Sequence, residues 1–357
     1  MPSKLLKKPA KKNRDWKVAG YTQNSPSKNI KFALLILFIL IGILFFGQLF
    51  NFTKTLFSPW TDKKENISRK YSWDGEFNIN VVLHNKYISV LSYNPKEKSI
   101  TLIPLPDNIY LDVSSNLGKW QLGSVFNLGQ SLPLGSENLL ARTVSSFLGI
   151  PIEGYIQLKG GLKDIQVSNL VDSLKKGPFN IFSIISDFKS DLTLWELIKL
   201  KLALSSVRFD KVNIVDLQVL KILLEEKLPD GSPVLVADSV RMDGNSTYFS
   251  DSQIRQEGLT IAISNGTSHP LLAQKAARIV TNLGGNVIIT SNTDQKFDKT
   301  YVTGKDSKTL ARLAQIFNSN CKKAPDCGKI EPKIITELSA SRAQINIILG
   351  EDFYNSI

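Results

Sequence analysis

Histidine and cysteine are scarce in this sequence, which has two of each among 357 residues. His84 and His269 lie far apart and have no cysteine or carboxylate cluster near them in the sequence, so no zinc-site spacing is present. Two histidines also leave little room for a Ser-His-Asp triad, and no Gly-x-Ser-x-Gly elbow is present. The sequence therefore argues against the common hydrolase and zinc-enzyme classes.

Acidic residues are nearly absent from residues 1–31, where nine basic residues accompany Asp15 as the one acid. This segment therefore carries +8 of the net charge of +12. Because the excess is confined there, no basic stripe with interleaved aromatic residues remains to follow a phosphate backbone. We predict no nucleic-acid partner, and we interpret 1–31 as a basic cytoplasmic tail that contacts anionic lipid.

One long apolar run follows the tail, FALLILFILIGILFFGQLF, with Gln48 as its one polar side chain. At about 1.5 Å rise per residue, such a helix spans the roughly 30 Å hydrocarbon layer of a membrane. Its end has no small-x-small cleavage site, which favours a retained anchor over a signal peptide. We predict a single transmembrane helix at 32–51 whose basic flank stays cytoplasmic, so that the bulk of the chain is extracytoplasmic at the cell membrane.

The rest of the chain predicts a juxtamembrane stalk and two α/β domains. Residues 52–76 are polar and mixed, as expected of a stalk. Short strand-like runs from Phe77 onward, which we expect to form one sheet, are interleaved with helical patterns at Glu137–Leu148 and Asp191–Leu204, with Asp191 as a candidate N-cap. This texture predicts a mixed α/β domain at 77–227, followed by a linker at 228–256 that is rich in turn residues.

Residues 257–357 predict a small α/β domain that contains a βαβ unit. A strand, a tight turn, a helix opened by Pro270 and closed by Gly284-Gly285, and a second strand follow one another. The turn at Asn265, Gly266 and Thr267 is a candidate anion site, because backbone N–H groups point outward at the start of a helix. Cys321 and Cys327 close the loop NCKKAPDC and are predicted to form a disulfide in an oxidising compartment.

Two stretches resemble the LytR-CpsA-Psr proteins of bacterial cell envelopes and the LytR C-terminal domain that often follows them. The C-terminal resemblance rests on IAISNGTSHPLLAQKAARIVTNLGGNVIITSN and ILGEDF, and it covers Gly258–Phe353. Upstream, the similar segments are FNINVVL, HNKYISVLSYNPKEKSITLIPLPDNIYLDV, GKWQLGSVFNLG and TVSSFLGIPIEGYIQLKG. The resemblance implies a protein of the group that attaches glycopolymers, carried on a polyprenyl-diphosphate lipid, to the cell wall.

The family's chemistry-bearing residues are replaced in this sequence. Lys86 stands where the resemblance places a metal-binding Asp, and Asp107 and Asn108 stand where it places an Arg and an Asp. An ammonium repels Mg²⁺, and a carboxylate repels the diphosphate oxygens that a forked Arg would bind. A one-residue slip would align Asp107 with the family's Asp, but the Arg would still be missing. No Arg occurs between Arg142 and Arg208, where the family has an Arg-rich segment.

These replacements leave two main interpretations. The leading one is a catalytically degenerate pseudoenzyme without catalytic or metal-ligating residues or a cofactor, which binds a cell-wall polymer or an envelope protein. Lys86, Asp107 and Asn108 are then either solvated turn residues or a remodelled pocket in which Lys86 binds an anion. The alternative is an active phosphotransferase that uses Mg²⁺ and has at least two carboxylates and two Arg in one pocket. A third, a regulatory protein that acts through its cytoplasmic tail, is less simple than contact of that tail with anionic lipid.

Overall fold

The computed structural model describes residues 37–39, 41, 48, 72–158, 188–244, 246–317, 319 and 341–357. The five described residues of the long apolar run are helical. No helix within the described ranges has both the length and the apolar character needed to cross a membrane. The predicted anchor at 32–51 and the tail at 1–31 thus lie almost wholly outside the described residues, as does the cysteine loop.

The described chain alternates strands and helices. The strands are β1 (Ile79–His84), β2 (Ile88–Asn94), β3 (Ser99–Leu105), β4 (Tyr110–Asp112), β5 (Lys119–Gln121), β6 (Gly154–Leu158), β7 (Phe188–Ser190), β8 (Val212–Ile214), β9 (Leu223–Lys227), β10 (Pro233–Ala237), β11 (Thr260–Asn265), β12 (Asn286–Asn292), β13 (Tyr301–Gly304) and β14 (Ile345–Leu349). The helices are α1 (Leu122–Gly129), α2 (Ser136–Leu148), α3 (Leu194–Ser205), α4 (Ser239–Gly244), α5 (Ser252–Glu257), α6 (Leu272–Asn282), α7 (Lys308–Ile316) and α8 (Glu351–Tyr354), with short 3-10 turns at Phe209–Lys211 and Ser246–Phe249.

A six-stranded sheet in the order β7-β6-β1-β2-β3-β8 forms the centre of the first domain. Neighbours β1, β2 and β3 are antiparallel, whereas β6 and β8 run parallel to β1 and β3. Alternate side chains enter two cores, because successive residues of a strand face opposite sides. Val82, Val90 and Ile103 pack against α1 and α2, and their neighbours in sequence pack against α3. The mixed α/β prediction for this region is confirmed.

Two details of this domain differ from the sequence prediction. Residues 109–113 do not join the main sheet, since β4 pairs with β5 in a separate two-stranded ribbon. Helix α3 begins at Leu194, and its N-cap is Thr193, which forms a capping box with Glu196. Asp191 instead accepts a hydrogen bond from the Tyr155 backbone N–H at 2.8 Å. The Asp191 carboxylate therefore links two segments of the domain.

Segments on both sides of residues 77–227 pack into the core of this domain. Trp73, placed in the stalk, is buried in the core beside α3, and its backbone N–H donates to Glu196. Residues 228–256 are also not a bare linker: β10 pairs with β9 as a hairpin, and Leu235, Met242 and Phe249 enter the core of the first domain. The apolar residues of this segment are few and are widely spaced among Pro, Gly and Asp. The sequence therefore shows no periodicity that would predict their packing.

The second domain is a four-stranded sheet in the order β12-β11-β14-β13. Strands β11 and β12 are parallel and α6 connects them, so the βαβ prediction is confirmed. Helix α6 begins at Leu272, because Leu271 has φ +63° and does not continue the turn that Pro270 opens. Its apolar stripe packs with α7 and β14 in a core of its own.

Polar contacts join the two domains. Arg278 of α6 donates to the backbone oxygens of Ser146 and Phe147, and Asn282 donates to those of Leu148 and Gly149. These oxygens belong to the C-terminal turn of α2, where a helix leaves carbonyl groups without intrahelical partners. The second domain therefore caps a helix of the first.

Candidate functional site

The strand register brings the three candidate pocket residues to one end of the first domain's sheet. Ile88 of β2 pairs with Leu105 of β3, so the turn that holds Lys86 lies beside the turn that follows β3. Asp107 and Asn108 form that second turn. The three positions therefore lie in turns at the same end of the sheet.

Lys86 lies at the tip of the β1–β2 hairpin and is exposed. Its ammonium sits 5.4 Å from the centroid of the Tyr87 ring. A cation over an aromatic face gains a small attraction while its head stays in water. The hairpin tip therefore offers a solvated positive charge in place of a metal ligand.

Asp107 lies against the first turn of α1. Its backbone oxygen accepts a hydrogen bond from the Gly123 N–H at 2.9 Å, and a Cβ at Gly123 would meet the Asp107 Cβ at 2.9 Å. Glycine at 123 is therefore what permits the approach. Burial raises the pKa of the Asp107 carboxyl. A helix N-terminus attracts negative charge, and Asp107 is the acidic residue that lies against the start of α1.

Asn108 holds this end of the sheet to the rest of the domain through its backbone. Its carbonyl oxygen accepts a hydrogen bond from the Leu235 N–H at 3.0 Å, and Ile109 forms an isolated bridge with Leu235. The Ile109 oxygen in turn accepts from the Leu122 N–H at the start of α1. The turn after β3 is thus fixed between β10 and α1.

His84 is a member of this group that the sequence interpretation left out. It is the last residue of β1, and its ring packs on Phe126 of α1 with centroids 4.2 Å apart. Burial lowers the pKa of the imidazole, and its Nδ1 has no hydrogen-bond partner within the described ranges. A lone histidine carries no motif, but His84 lies two residues before Lys86. That proximity in the sequence could have predicted that His84 belongs to this group.

The donor set at this end of the sheet does not fit Mg²⁺. The ion takes oxygen ligands, chiefly carboxylates, whereas the residues present are a solvated ammonium, one carboxylate with a raised pKa, an amide and an imidazole. Across the described part of the chain, no group of three or more His, Cys, Asp or Glu residues is arranged to hold a metal ion.

The candidate anion turn at the start of α6 uses its own donors internally. The Thr267 N–H and hydroxyl both donate to the Asn265 side-chain oxygen, and the Gly266 N–H donates to the Leu349 backbone oxygen. The His269 N–H donates to the Thr267 hydroxyl. These bonds weigh against an anion site at Asn265, Gly266 and Thr267, because the N–H groups of Gly266 and Thr267 are already paired. The proposed disulfide partners Cys321 and Cys327 lie outside the described residues.

Comparison with known proteins gives one family match. Residues 258–353 match the LytR_C family, described as LytR cell envelope-related transcriptional attenuator. No curated protein matches the chain. The match has the same bounds as the resemblance found in the sequence.

Several solved structures are similar in fold to part of the chain. TagV of B. subtilis is 12% identical, covers 47% of this chain and 94% of its own, and has a TM-score of 0.37. TagT of B. subtilis is 14% identical, covers 52% and 95%, and has a TM-score of 0.35. A TagT structure described as a LytR-CPS2A-psr family protein with bound octaprenyl pyrophosphate lipid is 13% identical, covers 51% and 92%, and has a TM-score of 0.34.

Proposed function

Because residues 258–353 are a LytR C-terminal domain, we propose that this chain is a bacterial cell-envelope protein that works by binding rather than by catalysis. Its partner is a cell-wall polymer or another envelope protein. The first domain then serves as a scaffold of LytR-CpsA-Psr type whose transferase site has been lost, and the protein needs no cofactor.

The proposal includes a single membrane anchor at 32–51, with the N-terminus in the cytoplasm. The apolar run and the basic flank before it support this orientation. Protease added to intact cells should then digest the chain beyond the anchor while an N-terminal tag stays protected. Loss of the tag with the bulk of the chain intact would refute the orientation.

The observation that carries the non-catalytic interpretation is the charge of the three converging positions. The register puts the turns that hold Lys86, Asp107 and Asn108 at one end of the sheet, which is compatible with the family alignment. With that alignment, a cation stands in place of a metal ligand and a carboxylate in place of a diphosphate ligand. Both changes reverse the charge that diphosphate chemistry with Mg²⁺ requires.

An active phosphotransferase remains the second candidate. The position of these three residues at one end of the sheet also favours this candidate, because it keeps the backbone arrangement of the site. His84 adds a titratable group at that end. Under this alternative Lys86 would bind an anionic ligand directly, and carboxylates from elsewhere would hold Mg²⁺.

Calorimetric titration of the full chain in detergent with farnesyl diphosphate, with and without Mg²⁺, separates the two candidates. We expect no binding that depends on Mg²⁺. Tight binding that appears only with Mg²⁺ would overturn the proposal and establish the transferase alternative.

A gain-of-binding variant makes a negative result informative. The triple substitution Lys86→Asp, Asp107→Arg and Asn108→Asp restores the charges of the family pattern, and it should introduce Mg²⁺-dependent binding if the alignment is right. Lys96→Asp is a control for the Lys86→Asp part, since it makes that charge change in the turn between β2 and β3, at the other end of the sheet. Each variant is first checked for cooperative thermal unfolding.

A further inference from the structure

A polar cleft lies where the two domains meet, and none of its lining residues belongs to the sheet end described above. It has a volume of about 710 Å³, within the range of about 300–1,000 Å³ that is usual for ligand sites. The first domain contributes the β4–β5 loop and Ser146, and the second contributes Lys275 and the segment around Tyr354. The Asn116 side-chain amide donates to the Tyr354 hydroxyl at 3.0 Å across the cleft.

Two residues of the β4–β5 loop adopt an unfavourable backbone conformation at this cleft. Ser115 and Asn116 both have positive φ, +66° and +56°. A left-handed conformation is unfavourable for most residues with a Cβ but not for glycine. Residues held in such conformations are concentrated at ligand clamps. Two polar side chains are thus kept at adjacent positions where glycine would be more stable.

Polar side chains line the cleft. Ser114 is one of the lining residues, although its hydroxyl is out of contact with solvent and so is not reached from the open space. The side chains of Ser115, Ser146 and Asn355 are exposed along the same lining.

The charge of the lining argues for an uncharged ligand. Asp112 and Lys275 are its one acid and one base, so their charges balance. The rest is hydroxyl, amide and phenol together with the apolar Val113 and Ile357, and one face of the Tyr354 ring is covered by His269 at a centroid distance of 3.3 Å. A polyphosphate would meet a single cationic side chain there, whereas a sugar chain would meet donors and acceptors along most of the lining.

We infer that this interdomain cleft binds a neutral, hydroxyl-rich oligosaccharide, with Ser115 and Asn116 as its main polar contacts. The inference names a ligand class for the binding role proposed above, but it concerns a different site. Because both domains line the cleft, the bound sugar chain would contact both at once.

Titration of the full chain in detergent with triacetylchitotriose and with maltotriose, followed by calorimetry, tests the inference. We expect at least one of them to bind with a Kd of about 1 mM or tighter. Binding should change little with added salt, because the lining has no net charge. The variant Ser115→Gly with Asn116→Gly should weaken binding at least about tenfold without lowering the melting temperature, since it removes ligand contacts and backbone strain together.

Lys98→Gly is the matched control, because Lys98 also has positive φ, +48°, but lies in the exposed turn between β2 and β3. It should leave sugar binding unchanged. Absence of binding by both sugars up to about 10 mM, or equal affinity in the double-glycine variant, would overturn the inference. Neither outcome bears on the farnesyl diphosphate titration, so the two proposals fail separately.

Discussion

Arg312 of α7 is a single buried side chain that joins the two domains electrostatically. Its guanidinium donates to Glu153 at 2.6 Å and to the Asn78 backbone oxygen at 2.8 Å, while Asp251 lies 3.9 Å away. Glu153 also accepts from the Asn80 N–H at 2.7 Å. A buried carboxylate is tolerated when such partners compensate the loss of water.

Replacing Arg312 with Met should lower the free energy of unfolding by roughly 3–5 kcal/mol, because Glu153 would lose its buried partner. Burial raises the pKa of Glu153, and Arg312 offsets part of that rise. Without Arg312 the folded-state pKa lies still higher above the unfolded one, so the folded variant binds more protons. The contribution of Glu153 to the variant's stability should therefore be fully present below the ordinary carboxyl pKa of 4.5 and be lost as pH rises through the raised pKa.

Urea unfolding followed by tryptophan fluorescence, at about pH 5 and about pH 8, measures this pH dependence. Adding Glu153→Gln to Arg312→Met should remove most of the dependence on pH. Arg208→Ala serves as the control, since the Arg208–Asp210 pair is exposed and such pairs contribute only about 0–1 kcal/mol. A loss for Arg312→Met that is the same at both pH values would contradict the assigned role of Glu153.

At the scale of elements, local patterns predicted most helices and strands but not all of their partners. The α2 helix and the βαβ unit were found because their periodicity is local. The pairing of β4 with β5 was missed, because alternation identifies a strand without identifying its sheet. The Thr193 cap was missed although its signal, Thr followed three residues later by Glu196, was present in the sequence.

That cap can be tested directly. The Thr193 hydroxyl accepts from the Glu196 N–H at 3.2 Å, and the Glu196 side chain accepts from the Thr193 N–H at 2.8 Å. Thr193→Ala should cost about 1 kcal/mol of unfolding free energy, whereas Thr193→Ser, which keeps the hydroxyl, should cost much less. Thermal unfolding of the two variants compares them, and equal losses would indicate that the methyl group rather than the cap is what matters.

At the scale of the whole molecule, the sequence predicted two domains but described them as separate units joined by a linker. The convergence of Lys86, Asp107 and Asn108 was predictable, because strand register along one sheet fixes it. The interdomain cleft and the contacts of Arg278 and Asn282 were not, because they depend on how two separate cores dock. Gly149 illustrates the difference: a Cβ there would lie 2.7 Å from the Asn282 amide nitrogen, and only the docked structure shows this.

The docking contacts should make the two domains unfold together. Arg278 and Asn282 supply hydrogen bonds to four consecutive carbonyl groups at the end of α2, and Arg278 also pairs with Asp243 at 2.7 Å. Removing both side chains leaves those carbonyls unpaired, at a cost of roughly 3–5 kcal/mol if each bond contributes about 1 kcal/mol. In scanning calorimetry, the full chain should show one transition for the two domains, and the variant Arg278→Ala with Asn282→Ala should show two.

Gly149→Ala should act in the same direction through its clash with Asn282. A single transition at an unchanged temperature in both variants would mean that these contacts do not couple the unfolding of the two domains.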